Sequence, residues 1–144
     1  MYAEVMDRLT RKMKTAINYL PAPEISEAAA NKLGLAFIGT TESAIKEVLD
    51  SLAKKGISLD TMRIRAFPFH DSVTDFFESH ELVYVIEQNR DAQLKSLLKI
   101  ECNINEDKMR SILSYDGVLI TAQHIEKSIL DSMQDLDASG EVPA

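Results

Sequence analysis

Leu82-Val83-Tyr84-Val85-Ile86 is a run of five apolar residues rich in β-branched and aromatic types, the pattern of a strand covered on both faces. A strand of that kind belongs to a parallel sheet with helices on either side. Behind it comes a polar turn, Glu87-Gln88-Asn89-Arg90, and then a helix start at Asp91-Ala92-Gln93-Leu94. In open α/β sheets, ligands and partners gather outside the carboxyl ends of the strands, so this turn stands at the expected working edge.

The rest of the chain repeats the same unit. Leu35-Ala36-Phe37-Ile38 is a short apolar strand bounded by Gly34 and Gly39. After it, Ala44, Ile45, Val48, Leu49, Leu52 and Ala53 form one helical stripe, with Glu42 in the first turn, Lys54 and Lys55 in the last and Gly56 placed for a left-handed cap. Met62 to Ala66 predicts a second strand, closed by Phe67-Pro68-Phe69, and Val73, Phe76 and Phe77 predict a short helix. Beyond the central strand, Leu94, Leu97 and Leu98 mark a helix, Arg110 to Tyr115 a further strand, and Asp116-Gly117 a turn. A final helix begins at Thr121, which suits the N-cap, with Ile120 and Ile125 placed to pack across it. Strands alternating with helices imply right-handed β-α units and a three-layer α/β/α sandwich with a mostly parallel sheet of four or five strands.

Residues 1–33 read as an N-terminal connector: an amphipathic helix carrying Val5, Met6, Leu9, Met13, Ala16, Ile17 and Leu20, halted by Pro21-Ala22-Pro23. Ala28-Ala29-Ala30 is compatible with a short second helical turn. Residues 34–136 form the α/β/α domain, and residues 137–144 read as a disordered acidic tail. The connector is basic, through Arg8, Arg11, Lys12 and Lys14, while the whole chain of 144 residues carries a net charge of -7. That balance opposes nonspecific binding to nucleic acid or anionic membranes. The one cysteine, Cys102, excludes an internal disulfide and a Cys-ligated cluster within the chain, and suits a reducing, cytoplasmic setting. No apolar run approaches the roughly 20 residues that span a bilayer, and the N-terminus lacks a signal-peptide pattern.

Three constellations are candidates for chemistry. Gly39, Thr40 and Thr41 join a strand to its helix, where backbone N–H groups can receive an anion. No Walker lysine is present, Glu42 opposes a phosphate, and the simpler reading is that Thr40 or Thr41 caps the helix. Arg63, Arg65 and His70 flank Phe67-Pro68-Phe69 and offer cations to a carboxylate or phosphate. Alternatively, the arginines pair with acids such as Asp60 or Glu78 while Phe67 and Phe69 enter the core. Glu87, Gln88, Asn89 and Arg90 expose adaptable hydrogen-bonding groups to a partner, unless Asn89 or Asp91 caps the next helix and the others face water. His80 and His124 lie in unrelated segments, no spacing resembles a metal site, and Cys102 has no paired base, so neither a metal nor a catalytic residue is expected.

Arg63-Ile64-Arg65-Ala66-Phe67-Pro68-Phe69, Val83 through Leu94, and Ser114-Tyr115-Asp116-Gly117 with Ile120-Thr121-Ala122 closely resemble, in order and spacing, the C-terminal region of the α subunit of 2-oxoacid:ferredoxin oxidoreductases, in particular the 2-oxoglutarate type. The resemblance covers about residues 1–130, and its specific part is the Glu-Gln-Asn-Arg-Asp run. It implies a fold similar to the C-terminal domain of transketolase. It also implies a parent complex that oxidatively decarboxylates a 2-oxoacid to an acyl-CoA, with thiamine diphosphate, magnesium, an iron-sulfur cluster and coenzyme A, and passes electrons to ferredoxin. The chain itself has neither a Gly-Asp-Gly metal-diphosphate motif nor cluster cysteines. The expectation is therefore a noncatalytic assembly domain, inactive alone and binding no cofactor alone. Its partners would be the thiamine-binding domain of the same α subunit and the β subunit, and ferredoxin through the complex. The alternative is a free-standing module that binds coenzyme A or another anion near Gly39, Thr40, Thr41, Arg63 and Arg65.

Overall fold

The computed structural model describes residues 1–27 and 32–139. In chain order these form helix α1 (Tyr2–Ala16), strand β1 (Glu24–Ser26), β2 (Leu33–Ile38), α2 (Glu42–Lys54), β3 (Asp60–Ile64), α3 (Asp71–Ser79), β4 (Leu82–Glu87), α4 (Gln93–Cys102), β5 (Met109–Leu113) and α5 (Ala122–Ser139). The strands make one sheet in the order β1-β3-β2-β4-β5. Neighbours pair in parallel except β1, which runs antiparallel to β3.

The period-two alternation of strand side chains builds two cores from one sheet. Leu35, Phe37, Tyr84, Ile86 and Ile112 point to one face and meet Ile45, Val48 and Leu52 of α2 and Ile125 and Ile129 of α5. Ala36, Met62, Ile64, Val83 and Val85 point to the other and meet Val73, Phe76 and Phe77 of α3 and Leu94 and Leu98 of α4. All six residues of β4 are buried, as a central strand covered on both faces requires. The chain leaves β2 toward β3 on one side and leaves β4 toward β5 on the other. The carboxyl ends of β2 and β4 therefore flank the point where the winding reverses, which is where open α/β sheets place their crevice.

Several expectations change at the edges. The segment read wholly as connector contributes β1, whose three residues are all exposed and so carry no apolar pattern; main-chain pairing with β3 defines it. Strand β3 begins and ends two residues earlier than the apolar run suggested, because Asp60 and Thr61 are buried in the parallel ladder with β2. Helix α5 continues through residues 137–139, which the acidic composition places in the tail. The Ala28-Ala29-Ala30 turn and residues 140–144 lie outside the described residues. Among those described, no helix is long and apolar enough to cross a membrane.

The two helices on the first face are tied by Glu126, which accepts from Lys55 Nζ at 2.8 Å and Ser51 Oγ at 2.7 Å. Lys55 and then Ser51 hold its carboxyl below the usual carboxylate range. A depressed folded value gives stability that is present above the unfolded value, about 4.3, and is lost as pH falls through the folded one. The difference in melting temperature between the wild type and Glu126→Gln is thus expected to be largest near neutrality and to close as the pH is lowered below about 4. A constant difference from neutral to acid pH would contradict this tie.

Candidate functional site

The turn after β2 enters α2 through a 3₁₀ turn, Gly39–Thr41. Gly39 takes φ +62°, a left-handed conformation that glycine adopts without strain, and open space surrounds it. Neither threonine caps α2 through its side chain. Thr40 is exposed, whereas Thr41 is buried and its Oγ1 accepts from Gln88 Nε2 at 3.4 Å. Gln88 also accepts, through Oε1, the backbone N–H of Ile120 at 3.4 Å. One carboxamide thereby spans the reversal point, joining the turn after β2 to the loop before α5.

Alternation along β4 sends Glu87 to the same face as Val83 and Val85, toward α4. The side chain expected to meet a partner is 1% exposed. Its Oε2 accepts from Leu94 N at 2.6 Å and Asn89 Nδ2 at 2.7 Å, and its Oε1 accepts from Lys95 N at 3.0 Å. The need for this is local. The residue preceding α4, Ala92, sits at φ +50° and has no side-chain acceptor, so the N–H groups of the first turn require one from elsewhere. Asn89 Oδ1 accepts from Asp91 N at 3.1 Å and Gln93 N at 3.3 Å, so Asn89 shares the capping while Asp91 does not. Of the four turn residues, Gln88 and Arg90 are exposed and Asn89 is half-buried. Arg90 folds onto its neighbour Asp91, with Nε 2.8 Å from Oδ1, in an exposed pair of small energetic weight.

The third constellation is neutralised from within. Arg63 lies 2.7 Å from Glu42 and 3.3 Å from Glu24, and Arg65 lies 3.1 Å from Glu24. These acids, rather than Asp60 or Glu78, answer the arginines, and the contacts fasten β1 to β3. His70 caps α3, its Nδ1 accepting from Ser72 N at 3.2 Å. Phe69 is buried, but Phe67 is 43% exposed and stacks edge-to-face on it at 5.3 Å, so only one of the two phenylalanines enters the core. The structure does not bring Arg63, Arg65 and His70 together as a cation pocket.

The pattern of single residues also hid a buried pair. His80 Nε2 is 3.1 Å from Asp60 Oδ2, and Nδ1 is 2.6 Å from the Phe76 carbonyl oxygen. Both side chains are nearly inaccessible, and the pair lies near the amino ends of the strands, away from the reversal point. Burial, partly offset by a hydrogen bond with Thr74, pushes the Cys102 thiol upward, the opposite of an activated nucleophile. Among the described residues no group of three His, Cys, Asp or Glu side chains is placed to hold a metal ion.

On the same carboxyl-end edge the β5–α5 loop displays Tyr115 (66% exposed), Val118 (66%) and Leu119 (74%), and Ile38 at the end of β2 is 43% exposed. This loop is held by Val118 N donating to Asp116 Oδ1 at 3.2 Å and by the contact of His124 Nε2 with Leu113 O at 3.0 Å. Exposed apolar side chains thus stand on a pinned loop beside the exposed polar groups of the turn after β4.

No family model and no curated protein matches the chain. Solved structures do. A 2-oxoglutarate:ferredoxin oxidoreductase from Magnetococcus marinus, solved with 2-oxoglutarate, coenzyme A and succinyl-CoA bound, superposes with a TM-score of 0.76 at 19% identity, over 90% of this chain and 23% of that one. The alpha chain of a probable 2-oxoacid ferredoxin oxidoreductase from Thermoplasma acidophilum superposes with a TM-score of 0.53 at 25% identity, over 77% of this chain and 96% of that one. The fold is thus shared with 2-oxoacid:ferredoxin oxidoreductases and agrees with the transketolase C-terminal-like architecture that the resemblance implied. The chain spans less than a quarter of the length of the Magnetococcus marinus structure.

Proposed function

We propose that this chain is the C-terminal assembly domain of a thiamine-diphosphate-dependent 2-oxoacid:ferredoxin oxidoreductase α subunit, acting on 2-oxoglutarate and working in the cytoplasm. The observation that carries the reading is the state of the carboxyl edge: the α4 N-terminus, Gln88 and both arginines are engaged by the protein's own side chains. Glu87 occupies the α4 N-terminus, Gln88 bridges Thr41 and Ile120, and Arg63 and Arg65 are held by Glu24 and Glu42. What the edge offers outward is a contact surface: Gln88, Asn89 and Arg90 with Tyr115, Val118 and Leu119. A second surface is the apolar stripe of α1, where Val5, Met6, Leu9 and Met13 are 41–46% exposed although they have core-type side chains. In this reading α1 leads into the thiamine-binding domain of the same subunit, the carboxyl edge meets that domain or the β subunit, and ferredoxin is reached only through the complex.

The donor set of this chain does not fit the parent's cofactors. A single cysteine cannot hold an iron-sulfur cluster, and among the described residues no three His, Cys, Asp or Glu side chains are grouped around a cation site. Thiamine diphosphate, magnesium, the cluster and coenzyme A are therefore assigned to other parts of the complex, and no step of the reaction is routed through this chain.

The competing module reading predicts direct binding of coenzyme A. Calorimetric titration of the chain with coenzyme A and with 2-oxoglutarate is expected to give no binding heat at millimolar ligand. Micromolar binding of coenzyme A, lost in Arg63→Ala or Arg65→Ala, would replace the assembly reading with a ligand-binding one.

A further inference from the structure

We propose that Glu87 is the positioning residue of the carboxyl-edge turn: a resident anion, carried by the chain itself, that seats the α4 N-terminus and presets Gln88, Asn89 and Arg90. Its functional consequence rests on the reading of this edge as a contact surface; its structural part does not. The first-turn N–H groups of a helix attract an anion through their unsatisfied donors and the aligned peptide dipoles. Here that anion is the Glu87 carboxylate, which reaches Leu94 N at 2.6 Å and Lys95 N at 3.0 Å from the end of the most buried strand. The same carboxylate oxygen that meets Leu94 also takes Asn89 Nδ2 at 2.7 Å, and Asn89 in turn takes the N–H groups of Asp91 and Gln93.

A single buried group thus fixes the strand end, the turn and the helix start. Between Glu87 and Asn89 stands Gln88, whose carboxamide faces outward from this seat to span Thr41 and Ile120. Ala92 holds φ +50°, a conformation L-residues other than Asn and Asp seldom keep, and the Glu87 seat on the two N–H groups that follow Gln93 is part of what compensates it. A partner meeting a preset turn does not have to spend binding free energy on ordering its side chains.

The geometry makes the isosteric replacement informative. Glu87→Gln keeps shape and volume but turns an amide N–H₂ toward backbone N–H donors, so one of the two seats is lost. Amide hydrogen exchange on the full chain is expected to quicken about tenfold at Asp91 and Gln93 and at Leu94 or Lys95, whose N–H groups this network holds, while the amides of Leu35 and Val85 stay within about threefold of wild type. In Glu87→Ala, sodium formate is expected to restore protection at Leu94 and Lys95 relative to sodium chloride at equal ionic strength, because a small carboxylate can reoccupy the seat. Unchanged exchange in the turn, or a uniform rise across the sheet with no formate effect, would overturn the proposal. Should neither Glu87 variant fold, Asn89→Ala tests the branch alone: Asp91 and Gln93 loosen while Leu94 and Lys95 do not, and unaltered protection at Asp91 and Gln93 contradicts it. If the turn loosens and association with the rest of the oxidoreductase is unaffected, the Glu87 inference stands and the assembly reading fails. An ordered turn in Glu87→Gln defeats the inference whatever the association result.

Discussion

His80→Ala is expected to lower folding stability by about 3–5 kcal/mol, a large part of the 5–15 kcal/mol that holds a domain of this size. The imidazole is 3% exposed, with Nε2 3.1 Å from Asp60 Oδ2 and Nδ1 2.6 Å from the carbonyl oxygen of Phe76, whose ring lies 4.2 Å from it. It therefore ties the end of α3 to the start of β3. The packing around it has no slack: a Cβ on Gly34 of β2 would lie 2.9 Å from the Phe76 ring and 3.2 Å from His80 Cδ2. Truncation removes a donor from a buried carboxylate and opens a cavity in the same step. Urea unfolding measures the loss as a lower midpoint at unchanged slope. A loss below about 1 kcal/mol would show that Asp60 and His80 are not coupled as their geometry requires.

The second large effect is expected in association rather than in stability. Tyr115→Ala and Leu119→Ala remove exposed side chains, so each should change folding free energy by no more than about 0.5 kcal/mol. If these side chains anchor the contact, each truncation should weaken binding to the remainder of the oxidoreductase by about 2 kcal/mol, roughly thirtyfold. Gln88→Ala should weaken it less, since the carboxamide is already committed to Thr41 and Ile120. The combination of normal stability and lost association is the signature of an interface. Equal loss of both would instead place the loop in the fold's own support.

Much of this architecture can be read directly from residue patterns. The β4 run, the α2 stripe ending in Gly56, and the placing of two turns at strand ends follow from periodicity and capping chemistry. The reversal point then follows from the strand order, which a sequence does not state. Strand β1 leaves no apolar pattern in the sequence, because its three side chains are exposed and only its pairing marks it. Arg63 finds Glu24 across 39 residues, and His80 finds Asp60 across 20, distances over which a one-dimensional pattern carries no geometry.

Glu87 is the instructive case. As a polar residue after an apolar run it resembles the start of a solvated turn. Alternation, however, puts it in phase with Val83 and Val85, on the face where the next helix must pack, seven residues before Leu94. Counting the phase through the strand end, rather than stopping at the last apolar residue, separates the buried Glu87 from the exposed Gln88 and Arg90. The candidate site thereby narrows from four turn residues to three, with the fourth as their support.

The most direct measurement of the assembly role is size-exclusion chromatography of this chain mixed with the thiamine-binding region and the β subunit of the oxidoreductase from the same source. The account predicts co-elution in a stoichiometric complex that Tyr115→Ala and Leu119→Ala together dissolve without unfolding the chain. Elution of the folded wild-type chain by itself, with the other two components associated and active in its absence, would contradict it.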